Sequence, residues 1–248
     1  MAANMKAVKL RMKSIQSTMQ ITKAMELVAS SKLRKAKERA DASRPYFHTL
    51  ENTLEQIAAG NTDLSSVYTK KSKNEKWCYV VIAGDRGLAG GYNSNLFKEM
   101  ESQTAGKDYC VLPIGKKAVE YYKRRGIELV TEEFAEAGDI SVSDCFEIAA
   151  LLCRAFKAGE FGHAALGYTN FVSMLSQKPD VSSMLPLEDL SGEEKDMKQI
   201  HSLILYEPDS ETVFDAIVPE YLAGMVYGAM CESVASELAA RRTAMDAA

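Results

Sequence analysis

Glycine is missing from Met1 to Ala59 of this 248-residue chain, and Pro45 is the only proline in that stretch. With no glycine and a single proline the segment reads as one long helix, bent near Pro45, where a backbone donor is lost and the preceding turn is crowded. At about 1.5 Å per residue it reaches roughly 85 Å, far beyond the radius of a compact domain. Long apolar runs are also lacking. Nothing approaches the 18 or more residues that span a bilayer, and the basic start leads straight into a periodic pattern with no signal-peptide core, so the chain is expected to be soluble on its own. The five cysteines, Cys78, Cys110, Cys145, Cys153 and Cys231, form no CxxC pair, which argues against a zinc or thioredoxin-like site and for reduced, buried thiols. The three histidines, His48, His163 and His201, stand apart from one another and from any cysteine, so no metal site is expected. No Ser-His-Asp, Cys-His or paired-carboxylate set stands out as a catalytic constellation.

What the sequence does contain is a charge asymmetry. The net charge is −4, yet Lys6, Lys9, Arg11, Lys13, Lys23, Lys32, Arg34, Lys35, Lys37 and Arg39 face only Glu26 and Glu38 across the first 39 residues. Such a helix is either a solvated face or a surface for an acidic partner, a phosphate backbone or an anionic lipid. Nucleic acid is the weakest of these, because no aromatic residue for base stacking occurs before Tyr46.

Apolar side chains recur at Met5, Val8, Met12, Ile15 and Met19 in steps of three and four, the spacing of a coiled-coil seam, and again at Phe47, Leu50, Leu54 and Ile57. At the other end Val213, Ile217, Leu222, Met225, Val226, Ala229, Met230, Val234, Leu238 and Met245 hold a helical period with no Gly cap or polar tail. Two terminal helices, 1–59 and 210–248, are therefore expected to pair antiparallel, the second ending as though shortened.

Between them the period changes. Trp77–Ala83 and Tyr109–Ile114 read as buried strands, Ile127–Val130 as a short one, His163–Thr169 as another and His201–Tyr206 as the last. Helices are expected over 93–100, 116–125 and from an Asp144 cap through Lys157 to a stop at Gly159. The Ser-, Pro- and acid-containing stretch 179–195 reads as a surface excursion. The alternation defines a small α/β domain over 75–206.

Gly84-Asp85-Arg86-Gly87-Leu88-Ala89-Gly90-Gly91 lies between a strand and a helix, where phosphate loops belong. Arg86 occupies the position at which GxGxxG needs its second glycine, and no GK[ST] follows. A tight packing turn fits better, with Asp85 and Arg86 pairing locally or facing a partner. On these residues two alternatives stand beside a structural component: a free-standing α/β nucleotide-binding protein with helical dimerisation arms, and a basic-helix adaptor for nucleic acid or lipid.

Six segments carry a resemblance: Gln20–Ala29 (QITKAMELVA), Ser43-Arg44-Pro45-Tyr46, Gly84–Asn93 (GDRGLAGGYN), Leu185-Pro186-Leu187, Tyr206-Glu207-Pro208, and the closing Thr243–Ala248. On these the whole chain resembles the gamma-subunit family of bacterial F-type ATP synthases. The resemblance implies two long helices in an antiparallel coiled coil with an α/β domain at the foot, and a non-catalytic rotor shaft without cofactor. It implies contact of Lys23, Met25, Lys32, Arg34 and Lys35 with the alpha/beta hexamer, and of Arg44, Tyr46, Tyr206 and Glu207 with the c-ring and epsilon subunit. It also implies a peripheral place on the cytoplasmic face of the bacterial plasma membrane, reached only through the complex, with the coupling ion chosen by the c-ring. The family continues beyond the motif at Ala248, which leaves the Met5–Met19 seam exposed here. Leu238 stands where the family has a polar residue and Arg242 where it has Met, and a charge at Arg242 requires an acidic neighbour. The insertion that makes chloroplast relatives thiol-sensitive is missing.

Overall fold

The fold is that of a computed structural model, which describes residues 2–60, 65–70, 72–187 and 206–248. Helix α1 (Ala2–Gly60) runs through Pro45 without a break. Downstream of the proline, the Thr49 hydroxyl donates back to the Pro45 carbonyl at 2.9 Å. The remaining elements are β1 (Trp77–Ile82), α2 (Tyr92–Thr104), β2 (Tyr109–Ile114), α3 (Lys116–Arg124), α4 (Val142–Ala158), β3 (His163–Phe171), β4 (Gln177–Leu185) and α5 (Ser210–Asp246). Helix α5 contains Pro219 and starts at Asp209, whose carboxylate accepts from the Thr212 N–H at 2.8 Å.

The sheet order is β2-β1-β3-β4, with β1 parallel to β2 and β3, and β4 antiparallel to β3. Alternation along β1 divides the core. Cys78, Val80 and Ile82 face one layer with Leu112, Leu166, α4 and α5, joined by Leu54 and Ile57 from α1. Tyr79 and Val81 face the other, against Leu96, Phe97 and Met100 of α2 and Ala118 and Tyr122 of α3. Strands apolar on both sides are what a parallel sheet covered on both faces demands.

Helices α1 and α5 run antiparallel: Glu26 meets Arg242, Arg44 meets Glu232, and Tyr46 meets Glu220. They approach closely at Gly224, where any Cβ would run into the ring of Phe47. Strand β3 is bonded sideways to α5. The Thr169 N–H donates to Ser233 Oγ at 3.2 Å, Ser236 Oγ donates to the Thr169 carbonyl at 3.1 Å, and the Phe171 N–H donates to Glu232 Oε2 at 2.9 Å.

Several expectations change. Residues 179–185, read as part of a surface excursion, form most of β4; Pro179 is tolerated because β4 is an edge strand. The expected strand over 127–130 is reduced to one bridge, Val111 to Leu129. The N-cap of α4 is Ser141, not Asp144. Asp144 is the third residue of a capping box in which its carboxylate accepts from the Ser141 N–H at 2.6 Å while Ser141 Oγ accepts in return. Helix α2 runs to Thr104, four residues past its expected end at Met100. The expected last strand lies outside the described residues except at Tyr206. Gly159 does end α4, at φ 75°.

Candidate functional site

Three surfaces along the helix pair hold the candidate residues. The first is the basic stretch of α1. Lys23, Lys32, Arg34 and Lys35 are exposed and Met25 is half-buried, while the same turns bury Ala29, Leu33 and Ala36, the first two against Ala235, Leu238 and Ala239 of α5. Leu238, the residue that departs from the family pattern, thus belongs to the buried face. Glu26 is buried at 8% exposure. Lys23 Nζ donates to its carboxylate at 2.6 Å, and Arg242 Nε lies 3.7 Å from its other oxygen. The acidic neighbour that Arg242 requires is therefore supplied by α1 itself. The hydrogen bond from Lys23 holds the Glu26 carboxyl below its ordinary value, against the opposing effect of burial, and Lys23 is raised in return. Arg34 and Glu38 stand 3.8 Å apart with both side chains in water, an arrangement that contributes little.

The second surface is the collar at the carboxyl ends of β1 and β2. Asp85 does not pair with Arg86. Its carboxylate accepts from the Ala137 N–H at 2.8 Å, the Gly138 N–H at 2.9 Å and the Lys116 N–H at 3.2 Å, filling the N-terminus of α3. Gly84 lies against α5, where an added Cβ would fall 2.9 Å from Cδ of Glu237. Arg241 pairs with Glu237 and also reaches the Gly87 carbonyl at 3.3 Å. The turn after β1 is thus closed by two of the protein's own carboxylates, and a phosphate brought there would meet like charge. Arg86 and Leu88 point outward. Leu88 has φ 63°, a left-handed conformation that non-glycine residues adopt only under constraint.

The third surface is the foot. Arg44 lies 3.6 Å from Asp41 and 3.7 Å from Glu232, and the Tyr46 hydroxyl donates to Glu220 at 3.2 Å. Burial of its ring, followed by the Glu220 charge, raises the Tyr46 hydroxyl. A cleft of about 320 Å³ opens beside Tyr46 and Phe47, bounded by Val142, Phe146 and Tyr227. Tyr206 packs against the main core and Glu207 is exposed just ahead of α5. The four foot residues therefore divide between the α1–α5 seam and the start of α5. Sequence reasoning missed Glu26, Glu237 and Arg241; for the last two the small residues opposite them, Gly84 and Gly87, were the available signal. Among the described residues no three His, Cys, Asp or Glu come together, and no helix is long and apolar enough to cross a membrane.

Helices α1 and α5 thus form a long antiparallel pair, with the basic end of α1 exposed and a covered α/β sheet at one side. A profile of the ATP synthase family matches residues 4–248. The ATP synthase gamma chain of Ruminococcus albus is 45% identical over 251 residues, covering 99% of this chain and 86% of that one. The sodium-ion-specific gamma chain of Acetobacterium woodii is 35% identical, covering all of this chain and 87% of its own length. The fold matches a chain in the central stalk and c-ring structure of the Tetrahymena thermophila mitochondrial ATP synthase at a TM-score of 0.67 and 22% identity, covering 92% of this chain and 98% of that one. The chain belongs to the ATP synthase gamma-chain family.

Proposed function

We propose that this chain is the central rotor shaft of an F-type ATP synthase, coupling c-ring rotation to ATP synthesis or hydrolysis at the beta subunits without catalysing either itself. The observation that carries the reading is the division of α1. Residues past Ala29 pack on α5, whereas Met5, Val8, Met12, Ile15 and Met19 are 47–60% exposed on a basic helix. An apolar seam with positive flanks suits an acidic, partly apolar sleeve such as the alpha/beta hexamer supplies. In this reading α1 and α5 act as an antiparallel coiled coil spanning 1–59 and 210–248, with 75–206 as the α/β domain at its foot. Lys23, Met25, Lys32, Arg34 and Lys35 meet the hexamer. Arg44, Tyr46, Tyr206 and Glu207 face the c-ring and epsilon subunit, and Asp85 holds the collar from which Arg86 projects.

The mechanism is mechanical and electrostatic. An asymmetric shaft contacts each beta subunit differently, and each difference biases that subunit toward another nucleotide affinity, a coupling through populations. The chain is placed at the cytoplasmic face of the plasma membrane, peripheral and held there by its partners.

The test is reconstitution with the alpha and beta subunits of the same organism. ATPase activity should co-elute with the assembly on size exclusion and be absent from the chain alone. Lys32→Glu with Lys35→Glu should weaken assembly in a salt-dependent way while leaving the unfolding midpoint of the free chain within about 0.5 kcal/mol. Unchanged assembly in that double variant would remove those lysines from the contact. Activity in the isolated chain would overturn the non-catalytic reading.

A further inference from the structure

Cys78 and Cys110 are direct partners in the parallel register of β1 and β2, and both point into the same core layer. Neighbouring strands lie about 4.7–4.9 Å apart. That spacing falls inside the ~4.4–6.8 Å range of Cα separations that a disulfide accepts. The two thiols are within hydrogen-bonding reach of each other, and the Cys110 S–H donates to the Trp77 carbonyl at 3.6 Å. Lys76, one residue before β1, holds its ammonium near the pair while bonding Glu128 at 2.7 Å. Of the other three thiols, Cys145 and Cys153 share α4 and Cys231 is on α5, near enough to Cys145 for their charges to interact, but none of the three is aligned with another as a strand pair.

We propose that Cys78 and Cys110 form a reversibly oxidisable dithiol, a modification site at which a low-molecular-weight disulfide converts the pair to an intrachain cystine. Cys110 is the attacking sulfur. The Cys78 hydrogen bond and the Lys76 charge together hold its thiol below the ordinary value, whereas burial pushes Cys145, Cys153 and Cys231 up. Its thiolate attacks one sulfur of the small disulfide, breaks that S–S bond, forms a mixed disulfide and expels one thiolate. Cys78 gives its proton to that thiolate and attacks the Cys110 sulfur, expelling the second. Two protein S–H groups are oxidised and one disulfide is reduced to two thiols. Entry needs local opening of β2, the last strand of the sheet, with release of the bridge that ties its outer edge at Val111 to Leu129.

The experiment treats the reduced full-length chain with glutathione disulfide, alkylates the remaining thiols in denaturant with N-ethylmaleimide, and maps non-reduced tryptic peptides by mass spectrometry. The expected result is the peptide 77–86 joined to 108–116 in a monomeric chain, with Cys145, Cys153 and Cys231 all alkylated and the link lost on adding dithiothreitol. In Cys78→Ala the reaction should stop with glutathione on Cys110. The wild-type map carries the test even if that variant folds poorly. A bridge among the other three cysteines overturns the proposal. So does a link found only in dimers, or five alkylated thiols under conditions in which the urea-unfolded chain oxidises.

Discussion

The two ends of α1 carry the same apolar spacing and meet opposite fates. At the amino end Met12 and Ile15 are more than half exposed, whereas at the carboxyl end Leu54 and Ile57 have no exposed surface, enclosed by the sheet layer and α5. A seam in a sequence states that one face is built for burial; it does not name what covers it. In the second half the cover is this chain's own α5 and sheet. In the first half the helix carries Lys6, Lys9, Arg11 and Lys13, and like charges oppose pairing with a second copy of itself. In the shaft reading proposed above, the cover there is the surrounding assembly.

The contrast is broken most sharply by truncation. Leu54→Ala or Ile57→Ala should cost about 2–5 kcal/mol in urea unfolding, the range for large-to-small changes in packed cores. Met12→Ala in the free chain should cost under about 0.5 kcal/mol and show its effect only after assembly. Equal costs at both ends would mean that the amino half is also covered in the free chain. Next in size, Gly224→Leu should destabilise by about 1–3 kcal/mol or more, because the Phe47 ring occupies the space its side chain needs, and far-ultraviolet circular dichroism should show loss at the helix pair.

Within the α/β region, Ser141→Ala removes the α4 cap and should cost about 0.5–2 kcal/mol. The Ser141 backbone N–H and hydroxyl hold the Asp144 carboxyl below its ordinary value. A depressed folded value gives stability that is full above the unfolded value near 4 and disappears as pH falls through the folded one. The backbone N–H bond survives in Ser141→Ala and only the hydroxyl's share titrates, so wild type should lose part of its advantage over Ser141→Ala on acidification below about pH 4, measured as the gap between unfolding midpoints. Smallest of all, Arg242→Ala should change stability by less than about 1 kcal/mol, since the side chain is 43% exposed and 3.7 Å from Glu26. A larger loss would show that the Lys23, Glu26 and Arg242 cluster sets the register of the helix pair.

Much of this architecture was legible before any coordinates. The glycine-free first segment became α1, Gly159 stopped α4, and Trp77–Ile82 became a central strand. Strand β4 was not legible, because Pro179 and its half-exposed alternation look like a loop until β3 supplies hydrogen bonds along its length. The role of Asp85 was hidden for a related reason. Its partners are backbone N–H groups at 116, 137 and 138, which carry no mark in the sequence. Glu237 and Arg241 sit in a helical stripe whose spacing announces burial but not the turn after β1 that they cover. Residue chemistry alone could not separate a solvated basic helix from a partner surface either; the exposed seam beside it is what supports the proposed partner surface.

The sideways bonds from β3 to Glu232, Ser233 and Ser236 have a consequence for load. Apolar contacts between a sheet and a helix resist separation but slide at little cost, since one buried methyl replaces another. Directional bonds at two successive turns of α5 work like a key in a keyway: neither rotation about the helix axis nor travel along it is open without breaking them. In the proposed shaft, twisting force entering at the foot would meet these bonds before α5 could slip, and Ser233 and Ser236, two of the smallest polar side chains available, are where backlash would first appear.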